Sequence, residues 1–141
     1  MMNIFFDVDY TILGIDGSLR PGTIDAFKNI KNQGHNIYIW SGVGIRTYEI
    51  SKHQLESFVS GVFRKPLKNF VLEIKKMGIP VNPDFVIDDY PEIVKQFGGI
   101  HIKPYYYRSQ PDDQMPQVPQ VIMDYSTKGE SDHPDYHGKV S

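Results

Sequence analysis

The sequence predicts an α/β fold in which parallel strands alternate with helices. Five short apolar segments recur along the chain, and helical patterns separate most of them. Alternation of this kind is typical of a parallel sheet with crossover helices. With 141 residues the chain is long enough to bury a substantial core in one domain. The predicted strands cover residues 4–8, 36–40, 58–63, 84–87 and 99–103.

Helix start and stop signals lie between these strands. The first helix is expected to begin near Thr23, which can cap it, and to end before Gly34. A proline suits a first helical turn and a glycine ends a helix, so Pro66 and Gly78 bound another helix. The predicted helices cover about residues 21–33, 44–54, 66–77 and 91–97.

The segment after Tyr107 differs in composition from the rest of the chain. It holds four of the ten prolines and only one apolar cluster, at residues 118–123. We therefore expect a catalytic domain over residues 1–107 and an extended or partly disordered tail over 108–141. Within the tail, residues 121–123 would add an edge strand, dock on a partner subunit or lie on the domain surface.

Composition excludes several classes of site. The chain contains no cysteine, which rules out disulfides, thiolate zinc sites and cysteine nucleophiles. No membrane span or signal peptide is recognisable, so we expect a cytoplasmic protein that does not bind membranes. The formal net charge of -2 offers no broad attraction for nucleic acid.

Polar residues follow the predicted strands at the edge where open parallel sheets bind ligands. Asp at a strand end also caps turns, so Asp7 and Asp9 alone fit turn chemistry and catalysis equally well. Polar residues also follow the second, third and fourth predicted strands, and this repetition favours catalysis over turn capping. The full set of strand-end positions is Asp7, Asp9, Ser41, Gly42, Lys65, Asp88 and Asp89.

The pattern resembles the haloacid dehalogenase superfamily of phosphatases. Residues 7–11 match its Asp-x-Asp-x-Thr motif, Ser41 its second motif, Lys65 its third, and Asp88 with Asp89 its acidic pair. The resemblance covers about residues 3–104. It implies a Rossmann-like three-layer α/β/α fold with a mostly parallel five-stranded sheet in the order 5-4-1-2-3.

The resemblance also implies a reaction, phosphomonoester hydrolysis with Mg²⁺. Asp7 would be the nucleophile that forms an aspartyl-phosphate, and Asp9 the general acid and then base. The cation would be held by Asp7, the Val8 carbonyl and Asp88. For Asp89 we favour orienting Lys65 or a metal-bound water over direct ligation, which stays open.

The remaining motif residues would bind the phosphoryl group. Ser41 and the Gly42 amide would donate hydrogen bonds to its oxygens, and Lys65 would supply a fixed positive charge. The intervals between the motifs are too short for a separate cap domain. Residues 14–20 are expected to form a small flap, with Arg20 as a candidate substrate contact.

Because no separate cap domain would cover the predicted site, other functions and several kinds of partner stay open. A non-catalytic phosphate-binding scaffold and a nucleic-acid-end phosphatase are the alternatives, the latter supported by the run of Tyr105 to Arg108. A small phosphorylated substrate is favoured over a macromolecule, and a homo-oligomer that encloses the site stays open. The histidines of residues 132–137 resemble a metal motif, but Pro134 and a polar terminus disfavour one.

Overall fold

A six-stranded, mostly parallel sheet lies between two helical layers in the computed structural model, which describes residues 1–140. The strand order is β3-β2-β1-β4-β5-β6. Strands β1 to β5 are parallel, and β6 pairs with β5 antiparallel. The strands are β1 (Asn3–Phe6), β2 (Asn36–Ser41), β3 (Val59–Arg64), β4 (Phe85–Asp88), β5 (Gly99–His101) and β6 (Tyr136–His137).

The predicted α/β class and the five parallel strands are confirmed, whereas the sixth strand was not predicted. The order of the five parallel strands is the expected one, read from the opposite edge of the sheet. The helices are α1 (Thr23–Asn32), α2 (Thr47–Lys52), α3 (Phe70–Lys76), α4 (Pro91–Phe97) and α5 (Val118–Lys128). None of the helices in residues 1–140 is both long enough and apolar enough to cross a membrane.

Each face of the sheet buries its own apolar core. Successive side chains of a strand point to opposite faces, so Phe6 and Phe5 belong to different cores. Phe6 packs on Phe27 of α1, with ring centroids 4.8 Å apart. Phe5 packs on Trp40 at 4.5 Å, in the core that α3 and α4 cover. These two cores fix β1 in the centre of the sheet, where its carboxyl end is held on both sides.

Two helices are shorter than the sequence predicted. Helix α2 begins at Thr47 and helix α3 at Phe70, because the residues before them form loops. Asn69, directly before α3, has a left-handed backbone with φ of 48°, which ends any helical path from Pro66. The residues left outside the helices, 42–46 and 65–69, lie after β2 and β3 at the carboxyl edge of the sheet.

The prediction of an extended tail after Tyr107 is wrong for residues 115–128 and 136–137. The segment contains helix α5 and strand β6, and Met115, Val121 and Ile122 are buried in the core that α1 covers. Pro119 occupies the first turn of α5, where a proline costs no hydrogen bond. Residues 121–123 were expected to form an edge strand, dock on a partner subunit or lie on the domain surface; instead Val121 and Ile122 lie on the buried face of this helix, and Met123 is exposed.

Candidate functional site

The chain turns tightly just after β1. Asp7 continues the ladder by donating its backbone N–H to the Ile87 carbonyl at 3.0 Å. Tyr10 then adopts a left-handed backbone with φ of 66°, which is uncommon for a residue with a side chain. This turn follows β1 and leaves Asp7 and Asp9 at the carboxyl edge of the sheet.

The Val8 carbonyl is not available to a cation, contrary to the prediction. Its oxygen accepts the backbone N–H groups of Thr11, Ile12 and Leu13 at 3.0 to 3.2 Å. A carbonyl oxygen has two lone pairs, and three donors already converge on this one. Within residues 1–140, the neighbouring Asp9 carbonyl accepts no backbone hydrogen bond in this turn.

Three carboxylates meet at the ends of β1 and β4. Asp7, Asp88 and Asp89 each offer an oxygen, and these oxygens lie within 4.8 Å of one another. Asp7 and Asp88 are buried, and Asp89 is partly exposed. The structure therefore brings together the three predicted acidic metal ligands, Asp89 included.

Lys65 lies between the two buried acids. Its Nζ is 3.1 Å from Asp7 Oδ1 and 3.0 Å from Asp88 Oδ2. The Lys65 backbone N–H donates to the Ser41 carbonyl at 2.9 Å, which places this lysine beside the end of β2. The structure thus puts Lys65 where the sequence predicted it, among the acids rather than on the surface.

The remaining oxygens of the two buried acids are also held. Thr11 Oγ1 donates to Asp7 Oδ2 at 3.3 Å, and the Tyr90 backbone N–H donates to Asp88 Oδ1 at 2.9 Å. Groups that are hydrogen-bonded on both oxygens have a fixed orientation. Thr11 therefore contacts the candidate nucleophile directly.

Burial and crowding of negative charge shift the pKa values of this cluster. The pKa of Asp7 lies well above its usual range, first because of burial and second because of the charge on Asp88, with Lys65 opposing both. Burial also raises the pKa of Asp88. Burial would lower the pKa of Lys65, but the charges of Asp7 and Asp88 outweigh it and raise that pKa. The single positive charge of Lys65 thus does not balance the negative charges of the clustered acids. A bound divalent cation would balance them.

Ser41 and Gly42 form the next part of the edge. Ser41 is buried, and its Oγ accepts the Val43 backbone N–H at 3.2 Å, so the hydroxyl proton is left to donate to a ligand. A Cβ on Gly42 would lie 2.6 Å from Leu67 Cδ2, so the absence of a side chain lets the two loops approach.

Asp9 lies apart from the three clustered acids and pairs with an arginine that the sequence analysis missed. Arg46 Nη1 is 2.7 Å from Asp9 Oδ2 and 3.3 Å from Ser41 Oγ, and its Nε donates to Glu49. Burial alone would lower the pKa of Arg46, but its bonds to Asp9 and Glu49 raise it. The sequence could have pointed to this residue, because an arginine lies five residues after Ser41, at the start of a predicted helix.

Arg20 is not a substrate contact, contrary to the prediction. Its side chain is fully buried, and its guanidinium binds Asp112 through Nε and Nη2 at 2.9 and 2.8 Å. The same group donates to the Thr11 carbonyl at 3.1 Å and to the Lys103 carbonyl. Arg20 therefore links the turn after β1 to the segment before α5.

The predicted flap over residues 14–20 is hydrogen-bonded to the rest of the protein. The Ile15 backbone N–H donates to the Tyr106 carbonyl at 2.7 Å, and Ser18 Oγ lies 2.6 Å from the Tyr105 hydroxyl. Near its tip, the Gly17 carbonyl lies 3.0 Å from His53 Nε2 at the end of α2. These contacts hold the segment in place, and it forms one wall of the cleft described next.

A cleft of about 430 Å³ opens beside Asp9, between this wall and α2. Asp9, Tyr10 and Arg46 lie at the end of the cleft nearest the acids, and Tyr48 and Lys52 of α2 line another part of it. The cleft therefore gives a molecule of moderate size a way to reach Asp9.

The histidine-rich end of the chain is occupied by internal bonds. His133 Nε2 lies 2.6 Å from Gln117 Oε1, and the backbone N–H of Asp135 donates to His133 Nδ1 at 3.1 Å. Within residues 1–140, the group of acids and histidines close enough to hold a metal ion is the one formed by Asp7, Asp88 and Asp89.

Comparison with known proteins supports the fold without naming a function. No family model matches the sequence, and no curated protein is significantly similar to it. The chain is similar in structure to an uncharacterized protein from Listeria monocytogenes serotype 4b, with a TM-score of 0.63 and 10% sequence identity. The likeness covers 90% of this chain and 99% of that protein. At this identity it shows a shared α/β fold.

Proposed function

We propose that the protein is a Mg²⁺-dependent phosphomonoester hydrolase of the haloacid dehalogenase type. The observation that supports this most directly is Lys65, which bridges two buried carboxylates, Asp7 and Asp88, at the carboxyl edge of the sheet. The order of the parallel strands and the position of Ser41 after β2 agree with the same assignment. A purely structural role would not require two acids and a lysine to be buried together.

The acidic residues fit a hard divalent cation. Asp7, Asp88 and Asp89 would hold it, since carboxylate oxygens are the ligands that Mg²⁺ prefers. The raised pKa values of Asp7 and Asp88 indicate an excess of negative charge that a cation would relieve. When bound, Mg²⁺ would offset the repulsion between the nucleophilic carboxylate and the phosphoryl group.

The side chains then divide the reaction into two displacements at phosphorus. An Asp7 carboxylate oxygen forms a bond to phosphorus while the bond to the leaving oxygen breaks, and Asp9 gives that oxygen its proton. Asp9 next takes a proton from the water that attacks the aspartyl-phosphate, which releases inorganic phosphate and restores Asp7. Ser41, the Gly42 amide and Lys65 bind the phosphoryl oxygens as negative charge develops on them.

A small phosphorylated molecule is the substrate that the cleft favours. Its volume of about 430 Å³ falls in the range of ordinary ligand pockets, roughly 300 to 1,000 Å³. The cleft is bounded by Tyr10 and Tyr48 and reaches Asp9, where the leaving oxygen must lie. The net charge of -2 offers no general attraction for nucleic acid, so a nucleic-acid end remains the less favoured substrate.

Hydrolysis of an aryl phosphate with and without Mg²⁺ tests the proposal. We expect turnover that requires Mg²⁺, disappears in Asp7→Asn and persists in Asp25→Asn, which alters an exposed acid in the first turn of α1. A panel of sugar phosphates, nucleotides, phosphoserine peptides and DNA 3′-phosphates would then identify the substrate class. A wild-type protein that is inert toward the whole panel would contradict the proposal and favour the non-catalytic phosphate-binding scaffold.

A further inference from the structure

The motifs assign no role to Arg46, although this cation contacts both Asp9 and Ser41. It lies at the start of α2, and its side chain is 16% exposed. A single nitrogen, Nη1, contacts both Asp9 Oδ2 at 2.7 Å and Ser41 Oγ at 3.3 Å. Arg46 therefore lies between the candidate acid and the hydroxyl that would bind the phosphoryl group.

The charges at the site call for a second cation. Asp7, Asp9, Asp88 and Asp89 contribute four carboxylates, and Lys65 contributes one ammonium. Asp9 enters the reaction protonated as the general acid, so Lys65 and a divalent cation only balance Asp7, Asp88 and Asp89 and leave no positive charge for a phosphoryl dianion. Such a dianion needs another positive group within contact distance, and Arg46 is already within hydrogen-bond distance of Ser41.

The guanidinium of Arg46 is held in place but is not saturated. Its Nε donates to Glu49 one helical turn along α2, which fixes the plane of the group. Among residues 1–140, the recorded hydrogen bonds of the side chain involve Nε and Nη1, which leaves the Nη2 donors for a ligand in the adjoining cleft. Once Nη1 leaves Asp9, Nη1 and Nη2 together offer the pair of parallel donors that suits bidentate binding of a phosphoryl group.

In the structure, the Arg46 contact also keeps Asp9 occupied. Asp9 Oδ2 accepts a hydrogen bond from Arg46, so this oxygen is directed at a guanidinium and not at a leaving oxygen. A phosphoryl group bound to Ser41 would lie close enough to compete for Nη1. Moving that donor to the phosphoryl oxygens would release Asp9 without any proton transfer, because arginine stays charged throughout.

We propose that Arg46 binds the transferring phosphoryl group together with Ser41 and Lys65, exchanging its bond to Asp9 for bonds to phosphoryl oxygens. This assignment rests on the proposed function and adds to it a substrate-binding residue that also controls when Asp9 is free. It predicts that the enzyme recognises the phosphoryl group through two side-chain cations, one from each side of Ser41.

The test compares Arg46→Met and Arg46→Lys with Arg64→Met. Arg64 is the matched control because it is exposed at the end of β3 and lines a groove with Ile45 and Met77, away from the acids. The probes are inorganic phosphate and an aryl phosphate, each with Mg²⁺. Calorimetry measures phosphate binding independently of turnover, and steady-state kinetics give kcat, KM and the inhibition constant of phosphate.

We expect Arg46→Met to weaken phosphate binding and to raise KM by roughly tenfold or more, since a charge-assisted hydrogen bond is lost. Arg46→Lys keeps the positive charge but loses the paired N–H donors of the guanidinium, so its phosphate affinity and KM should lie between those of Arg46→Met and wild type. Arg64→Met should have the phosphate affinity and KM of wild type. Thermal unfolding of each variant shows that the changes do not come from misfolding.

The outcomes separate this inference from the proposed function. Unchanged phosphate affinity and KM in a folded Arg46→Met variant would overturn the role of Arg46 while leaving the phosphatase intact. A wild-type protein that binds phosphate through Arg46 but turns over no phosphomonoester would overturn the function and keep the site. Wild-type protein that neither binds phosphate nor hydrolyses a phosphomonoester would overturn both.

Discussion

The two buried acids Asp7 and Asp88 make the stability of the metal-free protein depend on pH. Both have a raised pKa in the folded state, chiefly because of burial. The folded state therefore holds these protons more tightly than the unfolded state does. Their contribution to the free energy of unfolding is most favourable below the ordinary carboxyl pKa of 3.8 and declines as pH rises toward the raised values.

Replacing Asp7 by asparagine should remove part of this pH-dependent loss. In the absence of metal at pH 7.5, we expect Asp7→Asn to be more stable than wild type, because asparagine cannot carry the buried negative charge that burial and Asp88 disfavour. At pH 4 the difference should shrink. Urea unfolding with a chelator at both pH values measures it; equal stability of the two proteins at pH 7.5 would contradict the expectation.

Addition of Mg²⁺ should reverse the order of stability. A cation that binds the folded protein through Asp7, Asp88 and Asp89 raises the melting temperature, and more so when the acids are ionised. We expect a larger rise at pH 7.5 than at pH 4 in wild type and little rise in Asp7→Asn. Asp25→Asn is the control. A rise of the same size in Asp7→Asn would show that the metal binds elsewhere.

The candidate residues that the structure brings together as expected are those that a strand end positions. Asp7 follows β1, Asp88 ends β4, and the carboxyl ends of parallel strands meet at one edge, so the local pattern was sufficient to place them. The position of Arg46 and the hydrogen bonding of the Val8 carbonyl depend instead on loop geometry. The turn after Asp9 directs three amides at Val8, and a shortened α2 brings Arg46 to Asp9, neither of which apolar periodicity reveals.

At the scale of elements, the Arg20–Asp112 pair joins the first loop of the protein to its last helical segment. Both side chains are buried, at 0% and 3% exposure, and Asp112 lies just before the turn that leads into α5. Removing one partner of a buried pair leaves an uncompensated charge. The pair therefore couples the turn that positions Asp7 to the C-terminal elements.

Asp112→Asn should destabilise the protein by about 3 to 5 kcal/mol, because Arg20 stays buried with its charge uncompensated. The neighbouring substitution Asp113→Asn alters an exposed residue and should change stability by about 0.5 kcal/mol or less. Urea unfolding of both variants gives the comparison. Equal effects at the two positions would mean that the pair contributes little to folding.

The elements that escaped prediction lie in the part of the chain richest in proline. Pro116 and Pro119 were taken as signs of extended chain, yet each falls in a first helical turn, where proline is tolerated. The two-residue strand β6 carries no recognisable apolar run. Its position follows from Tyr136 packing on Phe85 and from pairing with β5, which are contacts between distant parts of the chain.

At the scale of the whole molecule, these contacts predict that residues 1–107 do not fold alone. Removal of residues 108–141 would uncover the core face that Met115, Val118 and Ile122 bury, expose the edge of β5 and leave Arg20 without its partner. Losing a single such buried aliphatic side chain costs about 2 to 5 kcal/mol, against a total stability of roughly 5 to 15 kcal/mol.

We therefore expect a chain that ends at Tyr107 to lack a cooperative thermal transition and the proposed phosphatase activity, although it contains every candidate catalytic residue. A chain that ends at His137 retains α5 and β6 and should unfold cooperatively. Circular dichroism in the near and far ultraviolet during heating distinguishes the two. A cooperative transition of the shorter chain near the wild-type temperature would instead restore the division into a domain and a dispensable tail, because folding would then not need the contacts of α5.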